Sequence, residues 1–196
     1  MSGGRPAVFL DRDGVINELV WNPATEAFES PHRPEDLALV GGAVESLQRL
    51  GGAGYALFVV SNQPSYAKRK AALEDLRRIA DLLEERLRSG GVRLADAYYC
   101  FHHPQAVVPE LAVRCRCRKR GTEFLERARD RHGIALESSW MVGDRDSDLE
   151  CGRRAGCRTI AILNPHSEKD RGKVAADHSS RSLPDAVGVL LKEDVR

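Results

Sequence analysis

The 196-residue chain carries 30 Lys and Arg against 29 Asp and Glu, a net charge of +1, so no overall field draws it to nucleic acid or to an anionic membrane. A chain of this length is expected to fold as a single domain over residues 1–196, burying roughly 70% of its unfolded surface. The first acids are reached after only four consecutive apolar or small positions, 7–10, too few for a signal-peptide core, and no later run reaches membrane-spanning length; the expectation is a cytoplasmic monomer.

The predicted elements alternate along the chain. Residues 7–10, short, apolar and followed by acids, read as a buried strand. A helix over 43–50 ends at Gly51-Gly52, and 56–60 form a second strand. Ala72, Leu76, Ile79, Leu83 and Leu87 recur at three- and four-residue steps before Gly90-Gly91, a helix that Lys68-Arg69-Lys70 would open. Cations are unfavourable at the positive end of a helix unless an anion meets them. Strand 97–100, helix 124–131, strand 139–142, helix 149–155 and strand 159–163 follow, then a polar, irregular stretch over 164–182 and a last apolar helix over 183–191. This rhythm predicts a three-layer α/β fold, a parallel sheet with helices on both faces and no large cap domain. Residues 14–42 and 101–118 are too long for plain connectors and are expected to serve the site.

In a parallel sheet, ligands bind beyond the carboxyl ends of the strands. The residues there are Asp11-Arg12-Asp13-Gly14, Ser61-Asn62-Gln63 and Gly143-Asp144-Arg145-Asp146-Ser147-Asp148. Any one cluster could be strand termination or helix capping. Several acids on one sheet edge repel each other unless a cation compensates, and Mg²⁺ suits carboxylates combined with a substrate phosphate.

Five cysteines, an odd number, argue against a disulfide framework. Cys100, His102, Cys115 and Cys117 make the pattern C-x-H…C-x-C, four ligands suited to a tetrahedral Zn²⁺ of structural type; His103 is an alternative to His102, and a disulfide or free thiols are competing readings. Such an ion would tie the end of the third strand to the loop, 100–118, that leads into Lys119. Cys151 and Cys157 read as buried free thiols, and His32, His132, His166 and His178 as exposed. Trp21 and Trp140 fit either core or pocket wall.

Asp11-x-Asp13, Ser61, Lys119 and Asp144-x-x-x-Asp148 together resemble the four motifs of the haloacid dehalogenase superfamily of phosphotransferases. The resemblance implies Asp11 as nucleophile, Asp13 as acid and base, and Ser61 and Lys119 as phosphoryl-binding groups. It also implies Mg²⁺ held by Asp11, Asp13 and Asp144, with Asp148 in support. FLDRDGVIN, VVSNQ, YYCFHHP, CRCRK and MVGDRDSD look more narrowly like the D-glycero-D-manno-heptose 1,7-bisphosphate 7-phosphatases and the related histidinol-phosphate phosphatase domains. That likeness selects His102 as the zinc ligand and puts Asn62, Gln63, Arg118 and Arg145 at the substrate. It implies a phosphorylated sugar as substrate, in the route to activated heptose for surface glycans such as lipopolysaccharide. The chain departs from the family pattern where substrate is chosen: SNQPSYAKRK replaces TNQSGIARG, and the stretch after Asn17 lacks a Gly-Tyr element. Histidinol phosphate is the alternative substrate. A nucleic-acid 3′-phosphatase fits the balanced charge poorly, and a catalytically silent zinc module would leave the intact acids without purpose.

Overall fold

The computed structural model describes residues 4–193. Eight strands and five helices follow in chain order: β1 (Ala7–Leu10), β2 (Val20–Asn22), β3 (Ala27–Glu29), α1 (Ala43–Gly52), β4 (Ala56–Asn62), α2 (Leu73–Ser89), β5 (Asp96–Cys100), α3 (Glu123–His132), β6 (Trp140–Gly143), α4 (Asp146–Ala155), β7 (Arg158–Ile162), β8 (His178–Ser180) and α5 (Leu183–Glu193). Six strands form one sheet in the order β5-β4-β1-β6-β7-β8, every neighbouring pair parallel.

Side chains of a strand alternate between faces, and β1 shows the consequence. Val8 and Leu10 join the core formed with Leu47 and Leu50 of α1, Leu76, Ile79, Leu83 and Leu87 of α2, and Val187 and Leu190 of α5. Ala7 and Phe9 point the other way, into the core with Phe124, Leu125 and Ala128 of α3 and Cys151 of α4. Both faces are covered, which is why β1, β4 and β6 read as continuous apolar runs. The four α2 residues are at most 1% exposed, and burying each contributes roughly 1.5–3 kcal/mol. The expected three-layer α/β sandwich is what forms, and Trp140 is core while Trp21 is half exposed.

The chain runs from β1 outward through β4 to β5, then returns to the other side of β1 for β6 and continues to β7 and β8. The direction reverses at β1, and the crevice at such a reversal is where parallel sheets bind ligands.

Three regions differ from the sequence expectation. Residues 14–42 contain the antiparallel hairpin β2–β3. The 164–182 stretch, expected to be irregular, supplies the edge strand β8. Lys68-Arg69-Lys70 do not open α2: they lie in a turn before it, with Arg69 in the left-handed region at φ 54°. Among the described residues no helix is long and apolar enough to cross a membrane.

Candidate active site and metal centres

The carboxyl ends of β1, β4 and β6 converge. The Asp11 N–H donates to the Val142 carbonyl (2.9 Å), locking the end of β1 to β6. Gly14 follows with φ +83°, and a Cβ there would come within 2.6 Å of Asp144 Oδ2. Only glycine gives both the turn and the close approach. At the end of β6, a Cβ on Gly143 would lie 2.2 Å from the Asp148 Cβ. These two glycines let the acids of β1 and α4 come together.

Ligand oxygens of Asp11, Asp144 and Asp148 lie within 4.8 Å of one another, and all three residues are buried. Lys119 reaches into the group: its Nζ is 2.7 Å from Asp11 Oδ1 and 2.7 Å from Asp148 Oδ1, and donates to the Val60 carbonyl at 2.6 Å. Burial alone would lower the Lys119 pKa, but the Asp11 and Asp148 carboxylates outweigh it and hold the ammonium above its ordinary range. One ammonium does not neutralise three acids. Burial, with Asp11 and Asp148 beside it, pushes Asp144 up to about 7, and burial pushes Asp148 up to about 6 against the pull of Lys119. Both Asp144 carboxylate oxygens are buried without a hydrogen-bond partner. A divalent cation fits this donor set: it would satisfy those oxygens and relieve the repulsion.

Asp13 is held differently. Its Oδ1 accepts from Arg12 Nε (3.0 Å) and Asn17 Nδ2 (3.0 Å), and its Oδ2 from Arg12 Nη2 (3.1 Å) and Gln63 Nε2 (2.5 Å). Its side chain is therefore not part of the carboxylate cluster. Arg12 and Asn17, both fully buried, escaped the sequence reading. A charged residue inside an otherwise buried strand-end motif was the available signal, since such a group requires a partner.

Ser61 is buried, and its Oγ accepts from Gln63 Nε2 at 2.9 Å. Asn62 clamps the main chain of Lys119 through two bonds, Nδ2 to the carbonyl (3.1 Å) and Oδ1 from the N–H (3.0 Å). Gln63, expected at the substrate, is 1% exposed and lies behind the wall; its amide is spent on Asp13 and Ser61.

A cleft of about 500 Å³ opens above these groups, bounded by Asp11, Asp13, Asn62, Arg118, Lys119, Arg145 and Asp148. The hairpin side of the cleft is formed by Ala27, Phe28, Glu29 and His32, and Lys68 and Lys70 face it as well. Glu29 pairs with Lys70, and His32 is half-buried, 3.1 Å from the Ser65 hydroxyl, so it is not the exposed, partnerless residue expected. His166 is exposed as expected but has a partner, stacking on Phe28 with ring centroids 3.5 Å apart. Burial and then the neighbouring Arg118, Lys70 and Arg145 charges lower the Lys68 pKa, despite Glu29. A phosphate in the cleft would meet these crowded cations and relieve them.

The second ligand group is the cysteine cluster. Sulfur–sulfur separations are 3.5 Å for Cys100–Cys115, 3.4 Å for Cys100–Cys117 and 3.2 Å for Cys115–Cys117. These are far beyond the about 2.05 Å of a disulfide and near the about 3.8 Å of two sulfurs each about 2.3 Å from one zinc ion. His102 Nδ1 closes the set, 3.4 Å from Cys117 Sγ and 3.8 Å from Cys100 Sγ. His103 is turned away, its Nδ1 accepting from the Gln105 N–H at 3.0 Å. Burial and the adjacent Cys115 push Cys117 up to about 11, and burial raises Cys100 as well, so a cation is what would make these two thiols thiolates. Three thiols and an imidazole within 4.8 Å fit Zn²⁺. The same loop positions Arg118, whose Nη1 donates to the His102 carbonyl at 3.2 Å. Cys151 and Cys157 are buried free thiols.

A parallel sheet with an Asp at the end of β1, a lysine from a later loop and an acidic turn after β6 defines a haloacid dehalogenase-like hydrolase, and the HAD-hydrolase-like family model matches residues 116–186. The chain is 31% identical over 173 residues to the D-glycero-alpha-D-manno-heptose-1,7-bisphosphate 7-phosphatase of Photorhabdus laumondii, covering 87% of this chain and 90% of that one. It is also 31% identical to the corresponding beta-anomer enzyme of Escherichia coli K12, over 98% and 97% of the two chains. It belongs to the D-glycero-D-manno-heptose-1,7-bisphosphate 7-phosphatase family. The fold matches the crystal structure of D,D-heptose 1,7-bisphosphate phosphatase from B. bronchiseptica complexed with magnesium and phosphate, with TM-score 0.78 and 23% identity over 96% and 99% of the chains.

Proposed function

We propose that this protein is a Mg²⁺-dependent, zinc-stabilised phosphatase that removes the 7-phosphate of a D-glycero-D-manno-heptose 1,7-bisphosphate, working as a single-domain cytoplasmic monomer. The observation that carries the reading is the convergence of Asp11, Asp144 and Asp148 around unpartnered carboxylate oxygens, beneath a cleft lined with cations.

The chemistry divides into two transfers. The Asp11 carboxylate attacks phosphorus, forming an O–P bond while the bond to the sugar oxygen breaks. The leaving oxygen takes a proton from Asp13. Water then attacks the aspartyl phosphate, gives a proton to Asp13, and the Asp11–phosphorus bond breaks, regenerating the carboxylate and releasing phosphate. Ser61 and Lys119 hold phosphoryl oxygens. Lys119 also keeps Asp11 oriented through the contact described above. Asp11, Asp144 and the main-chain carbonyl of Asp13 would hold Mg²⁺, with Asp148 in support; the ion supplies charge neutralisation between nucleophile and phosphate. Cys100, His102, Cys115 and Cys117 would hold Zn²⁺ and fix Arg118 at the substrate.

Family membership favours the heptose bisphosphate. The changed SNQPSYAKRK segment and the hairpin wall favour testing the histidinol phosphate alternative alongside it. A phosphate-release panel decides: both anomers of the heptose bisphosphate, fructose 1,6-bisphosphate, histidinol phosphate and a 3′-phosphorylated oligonucleotide. The expected outcome is a kcat/KM for one heptose anomer at least about tenfold above every other compound, worth about 1.4 kcal/mol of discrimination. A preference for histidinol phosphate or the oligonucleotide overturns the substrate assignment.

A further inference from the structure

We propose that Gln63 is a positioning residue for Asp13, an inference that rests on the acid–base reading of Asp13 given above. The Gln63 side-chain amide has two hydrogens and two acceptors, Asp13 Oδ2 at 2.5 Å and Ser61 Oγ at 2.9 Å. Its main-chain N–H donates to the Cys100 carbonyl at 2.7 Å, fixing it to the end of β5. It is 1% exposed and does not face the cleft, so it has no route to the substrate.

The other donors to Asp13 are Arg12 and Asn17, residues of its own turn. They hold the carboxylate relative to that turn. Among the described residues, Gln63 is the donor to Asp13 that comes from outside that turn, from just beyond the end of β4, and it simultaneously grips the hydroxyl of Ser61. One amide group therefore sets the distance between the proton-transfer group in the turn after β1 and the phosphoryl-binding hydroxyl on β4. Proton transfer depends steeply on placement, and a displacement of about 1 Å can cost roughly 10²-fold. Arg12 and Asn17 keep Asp13 buried and hydrogen-bonded without Gln63, so the loss should fall on rate rather than on fold.

The test uses p-nitrophenyl phosphate, whose leaving group departs without a proton. Phosphoryl transfer to Asp11 then proceeds without an acid, while the second step still needs Asp13 to take the proton of the attacking water. Gln63→Leu, of similar size but without N–H donors, should lower kcat by about 10²-fold and lower KM in proportion, leaving kcat/KM within about twofold because phosphoryl transfer to Asp11 is untouched. Acid-quenched intact mass should show phosphoenzyme accumulating, which wild type does not. Gln63→Glu, which sets a second carboxylate against Asp13, should act in the same direction. If the Gln63→Leu variant is poorly folded by thermal melt, the Gln63→Glu variant decides. A KM raised more than about tenfold with kcat unchanged would mark Gln63 as a substrate contact and overturn the proposal. A fall in kcat without phosphoenzyme, in a variant that melts below wild type, overturns it in favour of a structural role. Asp13→Ala separates the two claims. If that variant turns over normally, the acid–base reading itself fails; if it is impaired and accumulates phosphoenzyme while Gln63→Leu behaves as wild type, the role of Gln63 alone is refuted.

Discussion

Asp144 presents a physical conflict that the rest of the site has to resolve. It is fully buried, both carboxylate oxygens lack a hydrogen-bond partner, and burial plus two neighbouring acids lift it to about 7. A charge there, met by Arg145 Nε at 3.9 Å yet still lifted by burial and its neighbours, opposes folding, and a bound divalent cation reverses the sign. Asp144→Asn should therefore raise the melting temperature of the metal-free protein by at least about 2 °C and abolish the stabilisation that Mg²⁺ gives wild type, as read by thermal melts with EDTA and with Mg²⁺. A variant that melts no higher than wild type without metal, or still responds to Mg²⁺, contradicts the assignment. The identity of such residues was legible in the sequence because acids at strand ends have few structural uses. Arg12 was legible only as a charge in a buried strand-end motif that requires a partner, and Asn17 not at all: which group they hold depends on how one turn folds back on Asp13, which neither spacing nor composition encodes.

At the scale of elements, the long buried strands and α2 declare themselves through apolar runs and a clean three-and-four periodicity. The hairpin β2–β3 does not. Its strands have three residues each, with partly exposed side chains, and it persists by leaning on the cleft through Glu29–Lys70 and Phe28–His166. Strand β8, His178–Ser180, is equally silent: a polar edge strand that pairs with β7 alone. The cysteine loop lies between these cases, its ligands visible by spacing and its geometry supplied only by the fold. Metal analysis should find about one zinc per chain. Cys117→Ser should lose it, melt lower and raise KM together, because the loop that carries Cys117 also positions Arg118 and Lys119. Retained zinc, or lost zinc with unchanged KM, would separate the loop from the site.

Over the whole molecule, the acids and the lysine of the candidate site, from residues 11 to 148, are assembled by one topological feature, the reversal of strand order at β1. The parallel sheet was predictable from the alternation of elements, and with it the edge on which the acids meet. That residues 14–42 serve the site was also expected, but the shape of the cleft wall was not, because residues 27–32 and 68–70 carry no periodic pattern from which a hairpin or a turn could be read. On the function proposed above, the chemistry belongs to groups that the fold assembles, and substrate choice to the irregular segments. The most direct test of the central claim is covalent: incubate wild type, Asp11→Asn and Asp13→Ala with substrate and Mg²⁺, quench in acid, and locate any phosphoryl group by peptide mass spectrometry. The account predicts one phosphoryl group on the peptide carrying Asp11 in Asp13→Ala, lost on replacing Mg²⁺ with EDTA and absent from Asp11→Asn. A phosphoryl group on any other residue, or turnover by Asp11→Asn near the wild-type rate, would contradict it.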